Sequence, residues 1–132
     1  MLAYKGIKII EMVTHESSLD NFTEQFDYVL ENYSSHGLKA DAFSHVVLGG
    51  LGGSGIGAVI AKNWFFDKSP LPIESVADYH LPKYINEKTL VLLNSYSGNT
   101  EETLSMFADA KAAGAKILVL TGGGKLGELA KE

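Results

Sequence analysis

Two short apolar runs constrain this chain most: His45-Val46-Val47-Leu48-Gly49 and Thr89-Leu90-Val91-Leu92-Leu93. Each passes without a spacer into a turn rich in small and hydroxylic residues, and then into a helical pattern. Runs so short and so poor in charge read as buried strands. Such strands alternating with helices predict a parallel sheet covered on both faces. The first run opens into Gly50-Leu51-Gly52-Gly53-Ser54-Gly55-Ile56-Gly57, followed by a nearly all-apolar helix over Ala58–Phe66. The second opens into Asn94-Ser95-Tyr96-Ser97-Gly98-Asn99 and a helix over Thr100–Ala113, which Gly114 is suited to end.

The other elements follow from punctuation and periodicity. Ser69-Pro70-Leu71-Pro72 separates the apolar helix from a second strand, Ile73–Ala77. Asp78–Lys88, containing Pro82, reads as a loop before the third strand, Thr89–Asn94. Ala115–Leu120 is a fourth strand, Thr121–Gly124 a turn, and Lys125–Glu132 the start of a last helix. Upstream, Leu19, Phe22, Phe26, Val29, Leu30 and Tyr33 recur at helical spacing with acidic residues between them. That pattern predicts one amphipathic helix over Ser18–Tyr33 whose apolar stripe belongs to a core. Ser34–Ser44 is a polar connection, and Met1–Val13 fits a strand or a helical turn equally well. The expectation is a three-layer, doubly wound, flavodoxin-like α/β fold with strand order 2-1-3-4. Residues 1–44 form an N-terminal segment and residues 45–132 the core.

Composition narrows the function. A length of 132 residues suits one domain, and 45% hydrophobic with 20% charged residues is ordinary for a globular chain. The absence of cysteine excludes disulfides and thiolate metal sites. A formal net charge of −5 with no Lys/Arg block argues against nucleic acid as a partner. The N-terminus has neither a long apolar segment nor a small-residue cleavage site, so no leader and no membrane span are expected there. His15, His36 and His45 lack metal-ligand spacing.

The chemistry concentrates in the two turns. Ser97, Asn99 and Thr100 all suit a helix cap, and Glu101, Glu102 and Thr103 favour a first turn. Free N–H groups at a helix start beside Ser and Thr hydroxyls form an anion site, with phosphate as the natural occupant. A capped helix alone would need only one of those hydroxyls. Glu101 and Glu102 would repel a dianion and are better explained by the helix dipole. In the order 2-1-3-4, ligands bind beyond the carboxyl ends of strands 1 and 3, where the two turns would meet. Gly50-x-Gly52-x-x-Gly55 also matches a dinucleotide fingerprint, with Asp78 as an imperfect acidic partner. That pattern gives no reason for a second phosphate cradle after strand 3. Gly124-Lys125 lacks the rest of a Walker A loop. His80 could face the site, although a solvated or structurally bonded histidine is the simpler reading, and Lys125 reads as a surface lysine.

With both turns in view, the chain resembles a sugar isomerase (SIS) domain, and within that group the N-terminal domain of the bifunctional phosphoglucose/phosphomannose isomerases. Gly50–Gly57 and Ser95–Thr103 carry the resemblance, supported by Asp78-Tyr79-His80-Leu81-Pro82 and Gly123-Gly124-Lys125-Leu126. The resemblance implies that Ser95, Ser97 and Thr100 bind phosphate, with Gly98 and Asn99 as further candidates. Gly52, Gly53 and Ser54 would line the sugar side. It implies interconversion of glucose 6-phosphate or mannose 6-phosphate with fructose 6-phosphate through an enediol, by a carboxylate base, without metal or organic cofactor. It further implies a cytoplasmic homodimer whose ligand is a phosphorylated hexose. The family's base, its ring-opening His and Lys, and a fifth strand have no counterpart in this chain and are expected in segments beyond Glu132. A phosphosugar-sensing module without turnover, and a dinucleotide-binding domain, are the alternatives.

Overall fold

The computed structural model describes residues 14–34 and 37–131. The open reading of Met1–Val13 and the position of His36 lie outside the described residues. The chain divides into two compact units, one reaching Leu38 and the other starting at Lys39.

The first unit holds two helices where the periodicity suggested one: α1 (His15–Asp20) and α2 (Glu24–Asn32). Thr14 caps α1 by accepting from Ser17 N–H at 3.1 Å. Asn21 ends it, turning its N–H back onto Leu19 and Ser17 carbonyls. The apolar spacing survives the break because Thr23 keeps a near-helical backbone, φ −71° and ψ −27°. Asn and Thr in the intervening Asn21-Phe22-Thr23 are weak helix formers, which is why the break falls there. The Phe22 and Phe26 rings meet edge to face at 5.6 Å. Neither helix buries a residue, and Leu30 is 78% exposed, so the assignment of this stripe to a core is not met.

The second unit is the parallel sheet. After a 3₁₀ turn at Ala40–Ala42 come β1 (His45–Gly49), α3 (Gly52–Trp64), β2 (Ile73–Val76), β3 (Thr89–Ser95), α4 (Glu101–Ala112), β4 (Lys116–Thr121) and α5 (Gly124–Leu129). The strands are ordered β2-β1-β3-β4, all parallel, as expected. Helix α3 starts six residues earlier than the sequence pattern suggested, so most of the glycine-rich stretch is its first turns. Glycine contributes no helix signal of its own, and here tertiary packing overrides propensity.

Alternation along the strands sends odd and even residues to opposite faces. On one face Val47, Val91 and Leu93 are fully buried and pack with Met106, Phe107 and Ala110 of α4 and Leu126 of α5. A side chain at Gly49 would collide with Leu93 and Met106, so β1 ends in glycine where α4 comes closest. The loop before β3 adds Leu81 and Ile85 to this core. Asp109 of α4 anchors that loop by accepting from Leu81 N–H at 3.1 Å and His80 Nδ1 at 3.2 Å. The opposite face carries α3, whose Ile56, Val59, Ile60 and Trp64 remain exposed, and which buries no residue.

Two stability measurements test this packing. Leu93→Ala should cost about 2–5 kcal/mol in urea unfolding, as for other fully buried leucines. Thr103, in the first turn of α4, is 1% exposed and its hydroxyl meets no partner among the described residues. Thr103→Val removes that buried orphan at nearly constant shape, so stability should stay level or rise by up to about 1 kcal/mol. A clear loss would mean that the hydroxyl is satisfied in solution.

Candidate functional site

At the carboxyl ends of β1 and β3 the chain departs in opposite directions, to α3 on one face and α4 on the other. A crevice is left between the two turns. Asn94, the penultimate residue of β3, points to the α3 face and donates from Nδ2 to the Ser54 carbonyl at 2.8 Å. Tyr96 N–H reaches the Ser54 hydroxyl at 3.3 Å. These bonds stitch the glycine turn to the serine/threonine loop, and sequence reasoning missed Asn94. Its signal was available: a carboxamide that directly follows the apolar run Leu90–Leu93 within the strand. The approach is close enough that a side chain at Gly50 would lie 2.8 Å from the Asn94 carbonyl oxygen, and one at Gly55 2.6 Å from that of Gly50. Those two glycines are therefore explained by packing. Gly53 is not, since a side chain there would meet open space.

The serine/threonine loop is held from within. Ser95, 2% exposed, accepts from Gly98 N–H at 3.2 Å and shares a hydrogen bond with the Thr100 hydroxyl at 3.0 Å. Ser97 is exposed and accepts from Asn99 N–H at 3.2 Å. Thr100 occupies the cap position of α4, yet its hydroxyl is drawn down to Ser95 and no side chain caps the helix. The sequence suggested three candidate caps, and none is used. The first-turn amides of α4 thus keep their donors and the positive end of the helix dipole for an incoming group. Ser95, Ser97, Thr100, Gly98 and Asn99 lie around this helix start. Gly52, Gly53 and Ser54 form the first turn of α3 across the crevice.

The loop after β4 forms a third wall that the sequence reading treated as a plain turn. Gly122 N–H donates to the Tyr96 carbonyl at 3.0 Å, and Leu126 N–H to that of Gly98 at 2.9 Å. Gly98 has φ +67°, and any side chain there would overlap the Gly123 carbonyl. Glycine is required twice over at this point.

Other residues fall elsewhere. The His80 ring pairs with Asp109, eight residues beyond the first residue of α4 and so about 12 Å along its axis from the uncapped start. Asp78 accepts from Tyr79 N–H at 2.6 Å, closing its own turn. Tyr79 sits beside Glu101 and Glu102, and the charge of Glu102 above all, with Glu101, holds its hydroxyl protonated above the usual tyrosine range. A cavity of about 480 Å³ lies at the opposite, amino-terminal end of the sheet, lined by Ser44, His45, Lys62, Glu74 and Tyr84. Its polar groups are largely spent on one another: His45 bonds Ser44 at 2.9 Å and Thr89 at 3.0 Å, and Tyr84 bonds Glu74. A smaller groove of about 310 Å³ adjoins the glycine turn and is lined by Gly50, Gly52, Gly55, Ile56, Val59, Ile60 and Ala77. The smaller groove, though less voluminous, is the one that borders the donor-rich crevice.

Comparison with known proteins follows the same lines. The SIS domain model matches residues 41–131. A bifunctional phosphoglucose/phosphomannose isomerase from Caldicellulosiruptor bescii is 47% identical over 117 residues, which is 87% of this chain and 34% of the relative. Its counterpart from Thermoplasma acidophilum is 41% identical over 91 residues, 69% of this chain and 28% of the relative. The chain therefore spans about a third or less of the length of these curated relatives. Among solved structures, one described as a phosphosugar isomerase from Bacillus subtilis superposes with a TM-score of 0.58 at 28% identity, covering 67% of this chain and 28% of that one. With the glycine turn, the hydroxyl loop and the β2-β1-β3-β4 sheet all inside the matched region, this chain belongs to the SIS domain family.

Proposed function

We propose that residues 45–132 are the phosphosugar-binding core of an aldose–ketose isomerase that interconverts glucose 6-phosphate or mannose 6-phosphate with fructose 6-phosphate. The observation that carries this reading is the start of α4, a helix N-terminus left without a side-chain cap and set beside the hydroxyls of Ser95, Ser97 and Thr100. Phosphate supplies the negative charge and acceptor oxygens that such a start lacks. Ser97, Thr100 and the first-turn amides grip it, with Ser95 at the floor. Gly52, Gly53 and Ser54 approach the sugar, and the open space beside Gly53 leaves room for it. The named activity of the relatives supports isomerisation.

Turnover also needs a base to carry a proton between C1 and C2. On this reading the base comes from the part of the protein that corresponds to the remaining length of the relatives. No metal or organic cofactor enters. Among the described residues no helix is long and apolar enough to cross a membrane. The same reading makes the protein a cytoplasmic homodimer, and the exposed apolar face of α3 supports a subunit contact.

Thermal-shift titration of the 132-residue chain tests the ligand. Glucose 6-phosphate and fructose 6-phosphate should raise the melting temperature with concentration, and NAD should not. Ser97→Ala and Thr100→Val should each weaken sugar-phosphate binding by about 1–3 kcal/mol, the cost of a lost hydrogen bond to a charged group. A rise with NAD alone would replace this reading with a dinucleotide site. Binding by the full-length protein without turnover would make the domain a sensor.

A further inference from the structure

Asn99 stands in the anion loop, exposed, but spends both polar atoms of its side chain on the protein itself. Its Oδ1 accepts from Lys125 N–H at 3.1 Å, at the start of α5. Its Nδ2 donates to the Ser97 carbonyl at 3.2 Å. Gly124 packs against the carboxamide so closely that a side chain there would lie 2.9 Å from both Asn99 Nδ2 and Oδ1. On either side, the carbonyls of Tyr96 and Gly98 are taken by the N–H groups of Gly122, in the β4–α5 turn, and of Leu126, in the first turn of α5. Three successive carbonyls of the anion loop are thus engaged, by Gly122, by the Asn99 side chain and by Leu126. In a planar trans peptide the N–H points opposite to its C=O. Holding the Tyr96 carbonyl toward Gly122 therefore aims Ser97 N–H away from the β4–α5 side, and holding that of Gly98 toward Leu126 does the same for Asn99 N–H, which donates to the Ser97 hydroxyl.

We infer that Asn99 is a positioning residue, a latch between the β3–α4 loop and the start of α5 that holds in place the Gly122 and Leu126 donors which direct the loop amides, and that it does not touch the anion. This assignment rests on the proposed phosphate site for its purpose, but the latch itself is testable without a ligand. An acceptor carbonyl swung toward a phosphate would repel it, so a loop free to flip its peptides would hold the anion poorly. The latch removes that freedom through backbone contacts that only glycine allows at positions 98 and 124.

The test uses amide hydrogen exchange by NMR on the 132-residue chain and its Asn99→Ala and Asn99→Asp variants, together with titration by inorganic phosphate and by glucose 6-phosphate. In Asn99→Ala, exchange at Lys125 and Leu126 should rise by about fivefold or more, the effect of losing one hydrogen bond. Val91 and Leu93 in β3 should keep their protection, which a general loss of stability would not allow. Asn99→Asp retains an acceptor and should restore protection at Lys125. Affinity for phosphate and for glucose 6-phosphate should fall by the same factor in Asn99→Ala, because the latch shapes the anion end alone. Unchanged exchange with lost affinity would make Asn99 a ligand contact and overturn the assignment. Raised exchange with unchanged affinity would overturn it too. If the wild-type chain binds neither compound, the phosphate reading fails, while the exchange arm still decides whether the latch exists.

Discussion

The pairing of β1 with β3 is the constraint on which the rest depends. From that central pair the chain winds outward in both directions, through α3 to β2 and through α4 to β4. Right-handed crossovers then place the two helices on opposite faces. The carboxyl ends of the central strands are the one place where neighbouring connections diverge, and the Asn94–Ser54 bond spans the gap they leave. Because both helix starts are anchored there, two turns far apart in sequence become two walls of one crevice. Moving β1 by one register step would send Val47 to the other face, and moving β3 would do the same to Val91 and Leu93; either shift would separate those walls.

Burial is unequal across the sheet, and the inequality bears on function. The α4 face carries the fully buried residues, with Leu93, Met106 and Val91 at its centre, and this dry packing supports the loop that holds the candidate anion site. The α3 face is thinner and leaves Ile56, Val59, Ile60 and Trp64 in solvent. A donor-rich loop is therefore mounted on the rigid side of the sheet, while the glycine turn opposite rests on the side with least cover. Donors fixed before a ligand arrives need no reorganisation when it binds, which makes placement on the rigid side favourable for anion recognition.

Much of this was readable from residues. The apolar runs 45–49 and 89–93, each opening into a small-residue turn, led to the parallel sheet, its order and the convergence of the turns, because buried parallel strands carry a strong compositional signal. What stayed hidden has physical causes. The first turns of α3 were read as a loop because four of the six residues Gly52–Gly57 are glycine, and glycine has no helix propensity to detect. The single helix read over 18–33 is two, since a short near-helical break at Asn21–Thr23 leaves the apolar phase intact. Any of three residues could cap α4; the structure uses none, because Ser95 captures the Thr100 hydroxyl.

The sequence by itself determined the class of fold, the family and the two loops that meet at the carboxyl ends of β1 and β3, since strand burial, turn chemistry and a hydroxyl-rich helix start are local properties written in neighbouring residues. Only the tertiary structure decided which groups are free to meet a ligand. Ser95, Ser97, Asn99 and Thr100 look equivalent in a string, yet one is buried, one exposed, one committed to Lys125 and one bonded downward. Those differences come from contacts between segments more than twenty residues apart: Asn94 with Ser54, Gly98 with Gly123, Asn99 with Lys125. A hydrogen bond has only so many donors and acceptors to share, so which of them remain for function is settled when the distant partners arrive.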